Sequence, residues 1–330
     1  MSDWIPAFIE SYFVYLGQKG RRPSTIRRYV YDVHDFATWL KKKRKTTEAI
    51  DWRTISKAEL ERFFTELIVK RNYKVRTVRR IHSVLRQIAL HQKSLGSTEL
   101  QAILSIEPPE LTDEPLSPRE WVRHDELKQL FHSLASEQGL SEQQRETFPF
   151  YKERNLLIAR LFALYGMTLQ EVHQLSMKDV KFERNELIVN GRTVTLSEED
   201  KQLAYRYYMK IPKAVRPRYH SGDPFFVAFD FNRKTYHWSY ADDQPKRMTM
   251  IAIQKMIRME VRRAGLRKGI SAQTLRHTYI LKKLLHGASL EEMIADLGFL
   301  SPLSLRRYEK TIAQMTSAQK AALIGNESRR

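Results

Sequence analysis

Apolar side chains recur at helical spacing through the first hundred residues. Ile5, Phe8, Ile9, Tyr12, Phe13 and Leu16 share one face of a helix predicted over 5–18. The stretch 17–23, with glycines at 17 and 20 and Pro23, interrupts it. Ser24 is placed to N-cap the next helix, whose stripe is Ile26, Tyr29, Val30, Val33, Phe36, Ala37 and Leu40. Leu60, Phe63, Phe64 and Leu67 mark a third helix over 56–70. Val78, Ile81, Val84, Leu85 and Ile88 mark a fourth over 75–94.

The pattern then changes. Pro108, Pro109, Pro115 and Pro118 crowd a short span that neither a helix nor a strand tolerates, so 107–120 reads as a linker between domains at 1–106 and 121–330. The second part opens with helices over 124–134 and 151–165. The segments 180–184, 186–189 and 192–196 alternate as strands, and Asn190-Gly191 between the last two is a hairpin signal. Helices follow over 197–208, 249–264, 272–286, 290–297 and 303–316, while 219–247 has no clear assignment. The fold class is mainly α, four helices and then a helical domain with a small β-sheet.

Charge narrows the partners. Lys and Arg number 57 against 38 Asp and Glu, a net charge of +19. Such a surface suits a polyanion, although a basic soluble protein needs none. The absence of cysteine excludes disulfides and Cys-ligated metal, and fits a reducing cytosol. The first ten residues do not have the layout of a signal peptide, and no run reaches the roughly 18 apolar residues of a membrane span. His173 and His286 stand without clustered ligand partners, so no metal site is expected; no Gly-rich phosphate loop is present, so nucleotide hydrolysis has no support, and no cofactor is expected.

Three segments carry a resemblance to a family. They are Pro23-Ser-Thr-Ile-Arg-Arg-Tyr29; Arg160-Leu-Phe-Ala-Leu-Tyr-Gly166 with Glu171-Val172 and Leu175; and Thr274-Leu-Arg-His-Thr-Tyr279 with Leu284, Gly287, Ala288, Ile294, Leu297-Gly298 and Tyr308. In order and spacing they resemble the tyrosine recombinases, or phage integrases, to about residue 312. The resemblance implies a SAM-like core-binding domain and a recombinase-like C-terminal domain that close around duplex DNA. It also implies a tyrosine that attacks a phosphodiester to give a 3′-phosphotyrosyl bond. Cationic donors aimed at the phosphoryl oxygens stabilise such a transition state.

Carried over residue by residue, Tyr308 matches the nucleophile, Arg276 the second arginine, and His277 a histidine that is usually structural. The other positions depart. Thr168 stands where the first arginine belongs, Gln273 where a histidine or lysine belongs, and Phe299 where the last histidine belongs. The lysine-bearing turn is reduced to Asn190-Gly191, with Arg192 beside it. Losing one donor costs about 10²–10³ in rate and a catalytic arginine about 10³–10⁵. The departures therefore imply little cleavage, with Tyr308 and Arg276 as vestiges. Arg276 can meet a DNA phosphate or pair with a buried acid; the phosphate is the expectation.

DNA binding does not need the departed residues. The expected contacts are Arg21, Arg22, Ser24, Thr25, Arg27 and Arg28 on the second helix, and Lys74, Arg76, Thr77, Arg79 and Arg80 on the fourth. Arg192, Arg258, Arg276 and His277 join them in the second domain, with Arg262, Arg263, Arg267 and Lys268 widening a basic cluster around Arg258. The resemblance therefore implies a cytoplasmic, nucleoid-associated regulator, a repressor encoded by a phage or other mobile element and able to meet other proteins of that element. An active recombinase using Tyr308, and an accessory subunit of a recombination complex, are the alternatives. The apolar tail of Ile312, Met315, Ala318, Ala321, Ala322 and Leu323 can dock on a second copy or fold back on its own domain.

Overall fold

A computed structural model describes residues 5–110, 114–298 and 302–325. The chain divides into two compact units, Met1–Thr112 and Asp113–Arg330.

The first unit holds four helices: α1 (Ala7–Gln18), α2 (Pro23–Arg44), α3 (Lys57–Val69) and α4 (Val75–Ser94). A short 3-10 turn at Gln101–Ser105, which the hydrophobic pattern does not reveal, packs on α3 and α4. Ser24 is not the N-cap of α2. Proline occupies the first helical position, because its fixed φ suits a helix start and its missing N–H would go unbonded there, and Arg22 is the capping residue. Ser56 does cap α3, accepting from Glu59 N–H while Glu59 accepts from Ser56 N–H. Aromatic rings fill the core: Phe36 lies 5.0 Å from Phe63, and Trp39 5.2 Å from Phe63, between ring centres.

The second unit contains α5 (His124–Ala135), α6 (Glu142–Tyr165), α7 (Leu169–Gln174), α8 (Glu198–Lys210), α9 (Met250–Arg263), α10 (Ala272–Leu285), α11 (Leu290–Leu297), α12 (Pro302–Gln314) and α13 (Ser317–Ile324). Helix α6 begins well before 151 and carries Pro149 inside it, and the Lys210 ammonium donates to the Pro149 carbonyl at 2.9 Å. Strands β1 (Val180–Lys181), β2 (Glu186–Val189) and β3 (Arg192–Thr195) form an antiparallel meander, with Leu187 opposite both Val180 and Val194. The expected first strand is cut short because Phe182–Arg184 turns into a 3-10 segment. Asn190 and Gly191 both have positive φ, 50° and 81°, as a two-residue hairpin turn requires. Within 219–247 lie two small ladders, β4 (Phe229–Asp230) with β5 (Thr235–Tyr236) and β6 (Trp238–Ser239) with β7 (Gln244–Pro245).

Residues 114–120 are strapped to this unit and not left as linker. Arg307 donates to the Glu114 carbonyl and to Glu120, both at 2.9 Å, and Leu116 N–H donates to the buried Thr311 hydroxyl at 2.8 Å. The tail forms its own helix, α13, which folds back onto α5 and α10 with Leu323 fully buried. Among the described residues no helix is long and apolar enough to cross a membrane.

Candidate functional site

The site is built where α6 ends. Gly166 terminates that helix in the left-handed region (φ 61°), and a Cβ there would overlap the Tyr279 ring and come within 2.7 Å of Leu297 Cδ2. The chain then turns into α7, and Thr168 is its N-cap. Glu171 N–H donates to Thr168 Oγ1 at 3.1 Å, and Thr168 N–H donates to Glu171 Oε2 at 2.6 Å. The residue at the expected first-arginine position therefore closes a helix end and presents no cation.

Glu171 gathers two cations. Its side chain is 7% exposed. Arg192, from β3, donates to Oε1 at 3.3 Å, and Asn190 donates to the same oxygen at 3.4 Å. Arg276, from α10, places Nη1 3.5 Å from Oε2. Both arginines also meet main-chain carbonyls, Arg192 at Asp296 and Arg276 at Gly166. Arg192 is buried, with its stem packed beside Gly298. Burial first, then the like charge of Arg192, lowers the Arg276 pKa against the opposing pull of Glu171. The cluster carries two positive charges and one negative.

Of the two readings of Arg276, the structure holds the pairing with a buried acid. Arg192 and His277, expected among the DNA contacts, lie in the interior because their polar atoms serve packing. His277 Nδ1–H donates to the Glu120 carbonyl at 3.0 Å, and Gln273 approaches its Nε2 at 3.4 Å. Burial lowers the His277 pKa, so the ring is held neutral. Tyr308 is buried too, its ring edge-on to His277 with centres 5.6 Å apart. Gln273 is exposed. Phe299 lies outside the described residues.

The remaining expected contacts divide by exposure. Arg21, Arg22, Ser24, Arg27, Arg28, Lys74, Arg76 and Arg258 are exposed, and Thr25 and Thr77 half-buried. Arg80 pairs with the buried Asp32, and Arg79 donates to the Pro109 carbonyl at 2.6 Å. Around Arg258, Arg263 is engaged by Glu260 of its own helix and donates to the Ser136 carbonyl at 2.9 Å, and Arg267 is engaged by Glu126 at 2.8 Å.

Glu171 is the residue whose role the sequence reading missed. The signal was present, since Thr168-Leu-Gln-Glu171 is a capping-box pattern, but nothing local announces that the same carboxylate meets two arginines. Asp296 was missed as well; it accepts from Tyr279 and pairs with Lys283 at 3.3 Å.

A helical unit closed over a three-stranded meander, carrying Arg276 on α10 and Tyr308 on α12, has the fold seen in tyrosine recombinases. The family profile "Phage integrase, N-terminal SAM-like domain" matches residues 8–92. The tyrosine recombinase XerC of Caldanaerobacter subterraneus subsp. tengcongensis is 27% identical over 296 residues, covering 83% of this chain and 74% of that one. Among solved structures, the XerH site-specific recombinase bound to palindromic difH substrate aligns over 86% of this chain and 75% of its own, with a TM-score of 0.60 at 17% identity. A lambda integrase (75-356) dimer bound to a COC' core site aligns over 94% and 96%, with a TM-score of 0.58 at 10% identity; both structures show the fold alone. Residues 8–92 thus match a phage integrase SAM-like domain, and the chain has the fold of the tyrosine recombinases.

Proposed function

We propose that this chain is a sequence-specific double-stranded DNA-binding protein that occupies its sites without cutting them, and acts as a transcriptional repressor for a phage or other mobile element. The observation that carries the reading is the closed cluster at Glu171. Thr168 caps a helix in place of an arginine, and the two arginines that remain are neutralised in part by one internal carboxylate. Removing one arginine from a phosphoryl-transfer site costs about 10³–10⁵ in rate, and one hydrogen-bond donor about 10²–10³. The surplus of one positive charge still suits a phosphate oxygen, but a neutral, buried His277 and a Gln273 amide are poor proton carriers.

Binding draws on a different surface. Arg21, Arg22, Arg27, Arg28, Lys74 and Arg76 are exposed within one unit, and the like charge of Arg28 adds to burial in lowering the pKa of Arg80. An anion placed beside them relieves that repulsion. DNA binding by the XerH and lambda integrase relatives named above supports the choice of partner.

One observation favours a second reading, an active recombinase: Tyr308 lies against His277, the residue next to Arg276 on α10. Nicked duplexes carrying the protein's own selected site discriminate the two. Binding with no covalent adduct on a denaturing gel, in wild type and Tyr308→Phe alike, is the expected result. A Tyr308-dependent adduct would overturn the repressor reading in favour of strand exchange.

A further inference from the structure

Away from the Glu171 cluster, the second unit contains a cavity of about 760 Å³ between α6, α9 and the β4–β5 ladder. Its size falls among small-molecule sites. Its walls are largely apolar, with Leu140, Phe229, Met248, Met256 and Met259 on the lining. Thioether side chains adapt to varied shapes, so such a wall accepts an apolar body without demanding one outline.

One charge is embedded in this wall. Arg154, on α6, is 2% exposed. Its guanidinium donates to Asn155 Oδ1 from Nε and Nη2, each at 3.1 Å, and to the Val227 carbonyl from Nη1 at 2.8 Å. All of these acceptors are neutral. Among the described residues no carboxylate pairs with it. Glu260, which also lines the cavity, is held by Arg263 at 2.5 Å, and Glu153, adjacent in sequence, by Lys210 at 2.6 Å. Lys255 and Arg262 are exposed and also line the cavity, so its charged groups sum to a positive value. A buried cation that uses three of its five N–H donors on neutral acceptors, and meets no counter-charge, is costly in a protein interior, and an anion entering the cavity would relieve it.

We propose that this cavity is a binding site for a small organic carboxylate with an apolar body, the carboxylate facing Arg154 and the body lying against the methionine and aromatic wall. A guanidinium recognises a carboxylate through a charge-assisted, two-point contact, which a neutral isostere cannot match. The assignment stands apart from the reading of the chain as a repressor, since it depends on no DNA contact and no residue of the Glu171 cluster.

The test is a calorimetric titration of the full chain with naphthoate and, separately, with its neutral amide. Saturable binding of naphthoate, about tenfold or more tighter than the amide, is expected. Arg154→Met is expected to erase that preference. Because this variant removes a buried hydrogen-bonding group and can fail to fold, Ala252→Phe provides the second arm. It fills the cavity from the half-buried α9 wall with Arg154 intact, and is expected to lose naphthoate binding while keeping the wild-type circular dichroism and melting curve. Equal affinity for acid and amide, no saturable binding of either, or full binding by a folded Ala252→Phe protein would each overturn the proposal.

Discussion

Arg276 Nη1 lies 3.5 Å from Glu171 Oε2, an ion pair between α10 and α7 that is largely shielded from water. The other oxygen of the same carboxylate takes Arg192. One acid therefore holds three pieces of the unit together, α7, α10 and the β-hairpin.

That arrangement makes the acid harder to replace than either base. Glu171→Ala leaves two buried guanidinium groups without a counter-charge and removes a capping partner, and should cost about 3–5 kcal/mol. Arg276→Ala leaves Glu171 still paired with Arg192 and should cost clearly less. Urea unfolding of the two variants, followed by circular dichroism, checks the order; equal losses would mean that Arg192 contributes nothing to the pairing.

Gly166 should tolerate no side chain. Alanine there must adopt a positive φ at about 1–2 kcal/mol and displace Tyr279 and Leu297 at about 1–3 kcal/mol more. Gly166→Ala is expected to lose about 2–5 kcal/mol in denaturant, and the melting curve of Gly265→Ala, where nothing lies within 4 Å of the added carbon, serves as the control for backbone strain alone.

Two buried histidines should tie stability to pH, one in each unit. His82 donates from Nε2 to the Ile106 carbonyl at 2.9 Å, and His277 from Nδ1 to the Glu120 carbonyl at 3.0 Å. Burial is the largest cause lowering both pKa values, and neighbouring arginines add to it. The unfolded chain, with histidines near 6.5, takes up protons first as the pH falls. Stability from this source is thus complete above about pH 6.5 and is lost as the pH falls from there toward the folded-state values. Unfolding midpoints measured across that window should decline for wild type, and less steeply for His82→Gln and His277→Gln.

The exposed and the engaged arginines of the first unit should separate in a salt titration of DNA binding. Arg27→Ala, Arg28→Ala and Arg76→Ala are each expected to weaken binding and to lower the salt slope by about 1. Arg80→Ala should instead destabilise the unit, because it strands the buried Asp32 carboxylate. A slope unchanged by all three exposed substitutions would move the DNA contact to another face.

Local pattern sufficed for much of the architecture. α4 runs over the residues its apolar stripe marks, and the Asn190-Gly191 turn joins the strands on either side. These features depend on periodicity and turn chemistry, which neighbouring residues carry. The expectation that Thr168 stands where the family carries an arginine likewise comes from the sequence alone, because it concerns which residue stands at a place in a motif. What the tertiary structure decided was the use of long side chains. Arg192 reaches Asp296 and Arg276 reaches Gly166, contacts separated by 104 and 110 residues, and no periodicity encodes them. The same holds for the tail: its apolar residues suit docking on another copy or on their own unit, and only the folded chain shows α13 packing on α5 and α10 with Leu323 buried. A buried charge needs a partner of opposite sign or a polar cage wherever the fold can supply one, and only the folded chain brings Glu171 to its two arginines and leaves Arg154 with neutral acceptors alone.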